Sequence, residues 1–223
     1  MNKDSLGDRM KGYESVSKYR LLNKTPVILR VDGKAFHTFT RKMAKPYDEV
    51  LIETMVLAGE QTAKEMMGFV FGYHQSDEFS FYINDTKKIT SEAWFGNEIQ
   101  KLCSITASTF TANFNDILGA KARFDCRAFN VPLDDVPNYF VWRQQDWIRN
   151  SIQMLAGYYF SYKELHKKSQ SDMHELLHTK GINWSKLSNR LKNGTFITKR
   201  EERLSLPLDY YDIRLLLEMV ESS

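Results

Sequence analysis

Between residues 27 and 131, strand-like runs and helical stripes follow one another in the order β-α-β-β-α-β, and no other feature constrains the fold as strongly. Val27-Ile28-Leu29-Arg30-Val31 is β-branched, follows Pro26 and stops at Asp32-Gly33, the profile of a buried strand. Pro46 and Tyr47 open a helical stretch reaching about Met67, with Leu51, Met55, Thr62 and Met66 at helical spacing before Gly68. Residues 69–73 and 79–83 are aromatic runs around the polar link His74-Gln75-Ser76-Asp77-Glu78, and they read as a hairpin without the Asn-Gly of the tightest turns. Ser91 is the expected N-cap of a second long helix to about Asp116, with Phe95, Ile99, Leu102, Ile105, Phe110 and Phe114 on its apolar face. Gly119 closes that helix, and residues 122–131 give a further strand stopped by Pro132.

This order specifies an antiparallel split-βαβ sheet with both helices on one face. The expected fold class is α+β: a polymerase-palm-like (ferredoxin-like βαββαβ) catalytic core over residues 1–135, then a helical, basic extension over 136–223 that packs on the core. In the extension a third helix is expected from about Asn138 to Tyr162, with Trp147, Ile148, Ile152, Leu155 and Tyr159 as its apolar stripe. Arg143, Asp146, Asn150 and Gln153 fall on the other side. Residues 171–203 suggest a helical hairpin, capped by Ser171, broken at Gly181, restarted at Ser185 and ended by Asn193-Gly194.

The net charge of +3 says little until it is located. Lys163 to Arg203 hold ten Lys/Arg against five Asp/Glu, so the positive field belongs to the C-terminal third, where a polyanion could dock. No run approaches the ~20 apolar residues of a membrane span, and the polar start Met1-Asn2-Lys3-Asp4 lacks an apolar signal region. The expectation is a cytoplasmic protein without membrane attachment. Cys103 and Cys126, with no zinc-like spacing around them, read as two reduced, buried thiols.

The chemistry lies in the acids. Asp32 ends the first strand, and Asp77 and Glu78 sit at the hairpin link 45 residues after it, so the order of elements brings them to one edge of the sheet. Carboxylates converging there repel one another unless a cation lies between them. Magnesium suits oxygen ligands shared with substrate phosphates, and two such ions ~3.5–4 Å apart can serve a displacement at phosphorus. Gly33, without a side chain, lets its carbonyl and a triphosphate come close. Lys45 and Asp48 bracket a helix start, a natural phosphate site, although Asp48 could equally be a cap complementing the helix dipole. Lys101, Arg127 and His37 could reach a triphosphate, or be surface cations and a structural histidine.

Arg30-Val31-Asp32-Gly33-Lys34-Ala35-Phe36-His37, Lys45-Pro46-Tyr47-Asp48 and Gly72-Tyr73-His74-Gln75-Ser76-Asp77-Glu78-Phe79-Ser80 closely resemble tRNA-histidine guanylyltransferase and its 3′-to-5′ polymerase relatives. Phe124-Asp125-Cys126-Arg127 and Trp142-Arg143-Gln144-Gln145-Asp146 continue the resemblance, which spans roughly residues 5–200. It implies a homotetrameric enzyme that extends RNA at its 5′ end, with ATP adenylylating a 5′-monophosphate and the 3′-hydroxyl of GTP or another NTP displacing the activating group. It implies two Mg²⁺ ions on Asp32, the Gly33 carbonyl and Asp77, supported by Glu78. Nucleotide and triphosphate contacts are implied at Lys34, Ala35, Phe36, His37, Lys45, Asp48, Ser76, Lys101 and Arg127. The tRNA partner is expected on the extension, at Arg143, Asn150, Lys186 and Arg190.

Two places depart from the family pattern. Where anticodon-reading members carry His-Ile-Asn-Asn, this chain has Ile148-Arg149-Asn150-Ser151, and Glu98 stands where arginine is frequent. The first departure points to templated tRNA 5′-end repair over addition of one guanosine to the histidine tRNA. The rivals are a palm-type nucleotide cyclase, which would carry Gly-Gly where Gln75-Ser76 stands, and an RNA-binding protein with a degenerate site, which intact Asp32, Asp77, Glu78 and Lys45 oppose.

Overall fold

A computed structural model describes residues 5–221. Helix α1 (Ser5–Ser15) buries none of its residues and leads to strand β1 (Val27–Gly33), the short helix α2 (Phe36–Phe39) and helix α3 (Glu49–Lys64). The hairpin follows as β2 (Phe69–Gln75) and β3 (Glu78–Ile83), then α4 (Ile99–Leu118) and β4 (Phe124–Asn130). The rest comprises α5 (Val136–Tyr159), α6 (Tyr162–Leu165), α7 (Gln170–Thr179), α8 (Asn189–Asn193), β5 (Thr195–Thr198), β6 (Arg203–Leu204) and α9 (Tyr210–Glu221). Among the described residues no helix is long and apolar enough to cross a membrane.

The strands form one sheet in the order β4-β1-β3-β2-β5-β6, with every neighbouring pair antiparallel. Side chains alternate across the sheet, and here both faces are covered. On one face Leu29, Val31, Phe79 and Phe81 pack against Met55 and Val56 of α3 and Phe110 and Phe114 of α4. On the other, Ile28, Phe71, Tyr73 and Tyr82 meet Val136, Tyr139 and Phe140 of α5 and Ile213 and Leu217 of α9. Burial on both faces is why residues 69–75 and 78–83 are apolar almost throughout instead of alternating with polar residues.

Four boundaries differ from expectation, each for a local reason. Ser91 does not cap α4: its carbonyl accepts from Lys24 Nζ at 2.6 Å, and Phe95, Gly96 and Asn97 take left-handed φ values of 50°, 56° and 57°, which interrupts the helix until Ile99. Asp48, not Pro46, starts α3, its Oδ1 accepting from Leu51 N at 2.9 Å. Ser169 and Ser188, not Ser171 and Ser185, cap the two helices of the basic segment. The second of these helices ends at Asn193-Gly194 as read, but the residues after it form a strand: Phe196 stacks on Phe71 at 5.3 Å, and β5 pairs with β2 across residues 71–74. Unpaired, β2 would be an exposed edge, and β5 covers it. The free cysteines Cys103 and Cys126 are half-buried, not sealed in the core as read.

Candidate active site

Asp32 of β1 lies opposite Glu78 of β3 and Asp125 of β4, and directly opposed residues share a face. This places three carboxylates on the face covered by α5, at the end of the sheet where β2 turns into β3. Asp77 occupies that turn. The Gly33 N–H donates to the Asp77 carbonyl at 3.0 Å, fastening the turn to the end of β1. Ser76 adopts a left-handed φ of 53°, and its hydroxyl donates to Asp77 Oδ1 at 3.0 Å. Beneath it, the buried His74 holds the Ser76 carbonyl with Nε2 at 3.0 Å, and because a carbonyl can only accept, Nε2 carries the proton.

The acids are not equivalent. Burial raises Asp77 above the usual carboxylate range, the neighbouring Asp32 charge adds to the rise, and hydrogen bonds from its own N–H and from Ser76 offset part of it. Glu78 is also raised by burial, against the pull of Arg143 and Arg30. Arg143 grips it with two parallel bonds, Nε to Oε1 at 2.7 Å and Nη2 to Oε2 at 2.9 Å, and also reaches Asp146 at 3.0 Å. Both Glu78 oxygens are thereby occupied by protein. Among the described residues, no backbone or side-chain donor holds the Asp32 carboxylate.

A cleft of about 390 Å³ opens beside Asp77, lined by His37, Lys45, Asp48 and Ser76 together with Phe36, Tyr47, Trp147 and Met154. Tyr47 braces its wall by donating to the Ser151 carbonyl at 2.6 Å. Another cavity, of about 410 Å³, lies away from the acids between α3 and the β5–β6 turn. The carboxylates mark the first as the candidate site.

The structure gathers part of the expected residue set. Lys34 is exposed, with its N–H on the Arg123 carbonyl at 2.8 Å, and Ala35 turns the chain at φ 54° so that its carbonyl accepts from Thr38 and Phe39. Phe36 is buried against Phe124, centroids 5.2 Å apart, at the edge of the cleft. Asp48 is taken up as a cap, its two oxygens accepting from Leu51 and Ala44 at 2.9 Å each, so it has a structural task on the cleft wall. Arg127 is exposed opposite Arg30, two strand positions or about 7 Å from the Asp125 level. Lys101 stands apart: Phe110 and Phe114 are the part of α4 that touches Phe124, Phe114 also reaching Phe36, and Lys101 lies nine to thirteen residues, about 14–20 Å, back along that helix.

Two of the residues expected to touch RNA are engaged within the protein. Arg143 is buried beneath the acidic edge and committed to Glu78, because α5 lies against the sheet and its polar side faces the carboxylates. Arg190 is drawn into a 2.7 Å ion pair with Glu53 of α3. Asn150 is half-buried with its amide 3.4 Å from Asp146, while Lys186 is exposed. The sequence reading passed over Arg30, whose signal was a lone cation inside an apolar strand; it stands 3.9 Å from Glu78.

The model of the Thg1 family, tRNAHis guanylyltransferase, matches residues 7–132. The tRNA(His) guanylyltransferase of Schizosaccharomyces pombe is 30% identical over 195 residues, 78% of this chain and 74% of that protein. A bacterial tRNA(His) guanylyltransferase (Thg1)-like protein solved in complex with ATP superposes with a TM-score of 0.92 at 40% identity, covering 97% of this chain and 99% of its own. A second, in complex with GTP, gives 0.83 at 38% identity, with 98% of each covered. The molecule is therefore a nucleotidyltransferase of mixed helix and antiparallel-sheet construction. More narrowly, the chain belongs to the tRNA(His) guanylyltransferase family.

Proposed function

We propose that this enzyme adds nucleotides in the 3′-to-5′ direction to the 5′ end of tRNA, template-directed, as 5′-end repair. The carrying observation is the pair of neighbouring acids Asp32 and Asp77, without cationic partners among the described residues, with Asp77 on the wall of a cleft that also holds Lys45 and Ser76. We read the core as a polymerase palm, with Asp32, the Gly33 carbonyl and Asp77 as holders of magnesium. The donor set fits by its chemistry: Asp32 and Asp77 are oxygen donors of like charge set close together, and magnesium uses one or two carboxylates plus substrate phosphates. When bound, magnesium neutralises charge on the phosphates and activates the attacking oxygen.

The chain's own residues do the rest. Lys45 and the hydroxyl of Ser76 face the cleft to receive a triphosphate of ATP or GTP, the nucleotides carried by the bacterial relatives. Glu78, its oxygens held by Arg143, keeps the turn in place without competing as a ligand. Trp147, Met154 and Phe36 give the cleft apolar walls that exclude water. Exposed Lys186 and the basic segment around it suit the phosphates of tRNA. The exposed Leu6, Met10 and Tyr13 of α1 are consistent with further copies packing there to make a homotetramer.

A second reading, addition of a single guanosine to the histidine tRNA, is favoured by the names of the family model and the yeast relative. Against it, Arg149 and Asn150, where anticodon readers differ, both turn to Asp146 on their own helix. Supplying 5′-truncated tRNAs with ATP, GTP, other NTPs and magnesium distinguishes the two. Extension that stops when the acceptor stem is paired supports repair; one guanosine added only to the histidine tRNA supports the second reading; no 5′ extension of any tRNA overturns both.

A further inference from the structure

Tyr158, Tyr159 and Tyr162, at the end of α5 and the start of α6, are 55%, 40% and 83% exposed, so none of the three serves the core. Among the described residues no hydrogen bond holds any of their hydroxyls. The rings meet one another or a histidine: Tyr158 and Tyr159 edge to face at 4.8 Å, Tyr162 and His166 at 5.7 Å. Large rings exposed together mark an interaction surface. Their place on α5 joins that surface to the cleft. Trp147, Ser151, Met154 and Tyr158 follow at spacings of four, three and four, one stripe along the helix. Trp147 and Met154 line the cleft beside Asp77, and the Ser151 carbonyl between them holds Tyr47 of its wall. Tyr158 is the next member of the stripe, about 6 Å beyond Met154.

The charge around the rings is positive. Exposed Lys163, Lys167 and Lys168 follow directly, and the one acid among residues 158–168, Glu164, is taken up by the N–H and hydroxyl of Ser161 at 2.8 and 2.7 Å. Flat rings interleaved with ammonium groups suit a ligand that has flat faces and regular negative charge. Unpaired nucleotides offer both, bases to the rings and phosphates to the lysines, whereas paired RNA hides its base faces. A second copy of this chain, seated here about a two-fold axis, would set these lysines against themselves.

We propose that Tyr158 and Tyr162, backed by Tyr159, Lys163, Lys167 and Lys168, form a stacking site for the unpaired 3′ nucleotides of the tRNA. This rests on the reading that the 5′ end of the tRNA reacts in the cleft. The 5′ end and the unpaired 3′ tail leave the same end of the acceptor stem, so a 5′ end seated beside Asp77 puts the tail at the rim of the cleft. Two nucleotides stacked at about 3.4 Å each cover the distance from Met154 to Tyr158. A tail held on the rings cannot fold back over the 5′ terminus, and the last template base stays open to the incoming nucleotide.

The test is a binding cycle on the full chain, using tRNA with and without its unpaired 3′ nucleotides against the wild type and the Tyr158→Ala/Tyr162→Ala double variant. Loss of one stacked base costs about five- to 140-fold in affinity. Removing the tail should therefore weaken wild-type binding at least about fivefold and binding to the alanine variant less than about twofold. Tyr158→Phe/Tyr162→Phe, which keeps both rings, should follow the wild type. A fluorescent adenine analogue at the 3′ terminus should be quenched on binding the wild type and the phenylalanine variant, and not on binding the alanine variant. An equal cost of tail removal in the wild type and the alanine variant would overturn the proposal. So would an alanine variant that falls into smaller oligomers while the tail keeps its contribution, which would make the rings a contact between copies. The cycle reads binding and not transfer. If it fails while 5′ extension persists, the stacking site falls and the proposed function stands; if it holds while no tRNA is extended, the proposed function falls alone.

Discussion

Replacing Arg143 by methionine tests how the acidic edge is held together. In the folded protein the Arg143 and Glu78 side chains are only 8% and 11% exposed and are joined by two hydrogen bonds. Removing one member of such a pair leaves a buried charge without compensation and costs about 3–5 kcal/mol. The guanidinium also lies 4.4 Å over the Trp142 ring, a contact contributing about 0.5–1 kcal/mol at a half-exposed site. Against a total stability of about 5–15 kcal/mol that is a large share, and at about 2–4 °C per kcal/mol it lowers Tm by roughly 6–20 °C. The deficit should also depend on pH. Without Arg143 the folded-state Glu78 rises further above 4.5, so the folded form favours the neutral acid. A raised carboxyl contributes its stability in full below its ordinary value and loses it as pH rises through the folded one, so the variant is closest to wild type near pH 4.5 and furthest from it at pH 7. Thermal unfolding followed by circular dichroism at both pH values, on Arg143→Met, Glu78→Gln and the double variant, gives the cycle. Adding Glu78→Gln should recover at least half of the loss. A loss below about 1 kcal/mol at pH 7 together with weakened tRNA binding would refute this account and return Arg143 to the RNA surface.

Asp77→Asn should lower nucleotidyl transfer by more than about a hundredfold, the upper range for partners that merely support metal ligands. Its metal-free form should nonetheless melt higher than wild type at neutral pH, because the raised Asp77 costs stability as pH climbs from 3.8 through its folded value; a lower Tm would show Asp77 to be a stabilising residue. His74→Gln keeps an N–H for the Ser76 carbonyl but removes a ring held down to about 4 by burial. A depressed histidine contributes stability above 6.5 that is lost as pH falls toward 4, so the variant should lack about 3 kcal/mol of the acid-side loss, read from urea unfolding at pH 7 and pH 4; parallel losses would refute it. Lys186→Glu should weaken tRNA binding, with a shallower salt slope in filter binding, and leave Tm unchanged. Arg190→Glu should instead lower Tm by setting a like charge against Glu53 at the α3–α8 contact, and unchanged stability there would return Arg190 to the RNA-facing set.

Periodicity made β1, the hairpin and the middle of each long helix legible, because side chains buried on both faces of one sheet have to be apolar wherever the chain passes. Where conformation depends on distant partners, the sequence was silent. The start of α4 is decided by left-handed Phe95, Gly96 and Asn97 and by Lys24 holding the loop from another segment. Residues 195–198 are too short to declare themselves a strand, and they become one because β2 offers an unpaired edge and Phe71 a ring to stack on. α5 misleads in the same way. Arg143 on its polar side was expected to meet tRNA, yet it is bound to Glu78, and the neighbouring Gln144 spends its amide on the Asn193 and Leu206 carbonyls and the Leu208 N–H.

That burial separates the tasks of acids that look alike in the sequence. Asp32, Asp77 and Glu78 all reach one edge, but a carboxylate already bound at both oxygens by a guanidinium has little left for a cation, whereas two like charges without a cationic partner among the described residues favour one. The division of labour among the three is thus set by a residue 65 positions downstream of Glu78. Spacing alone could group the acids; it took the docking of α5 to show which one is the brace.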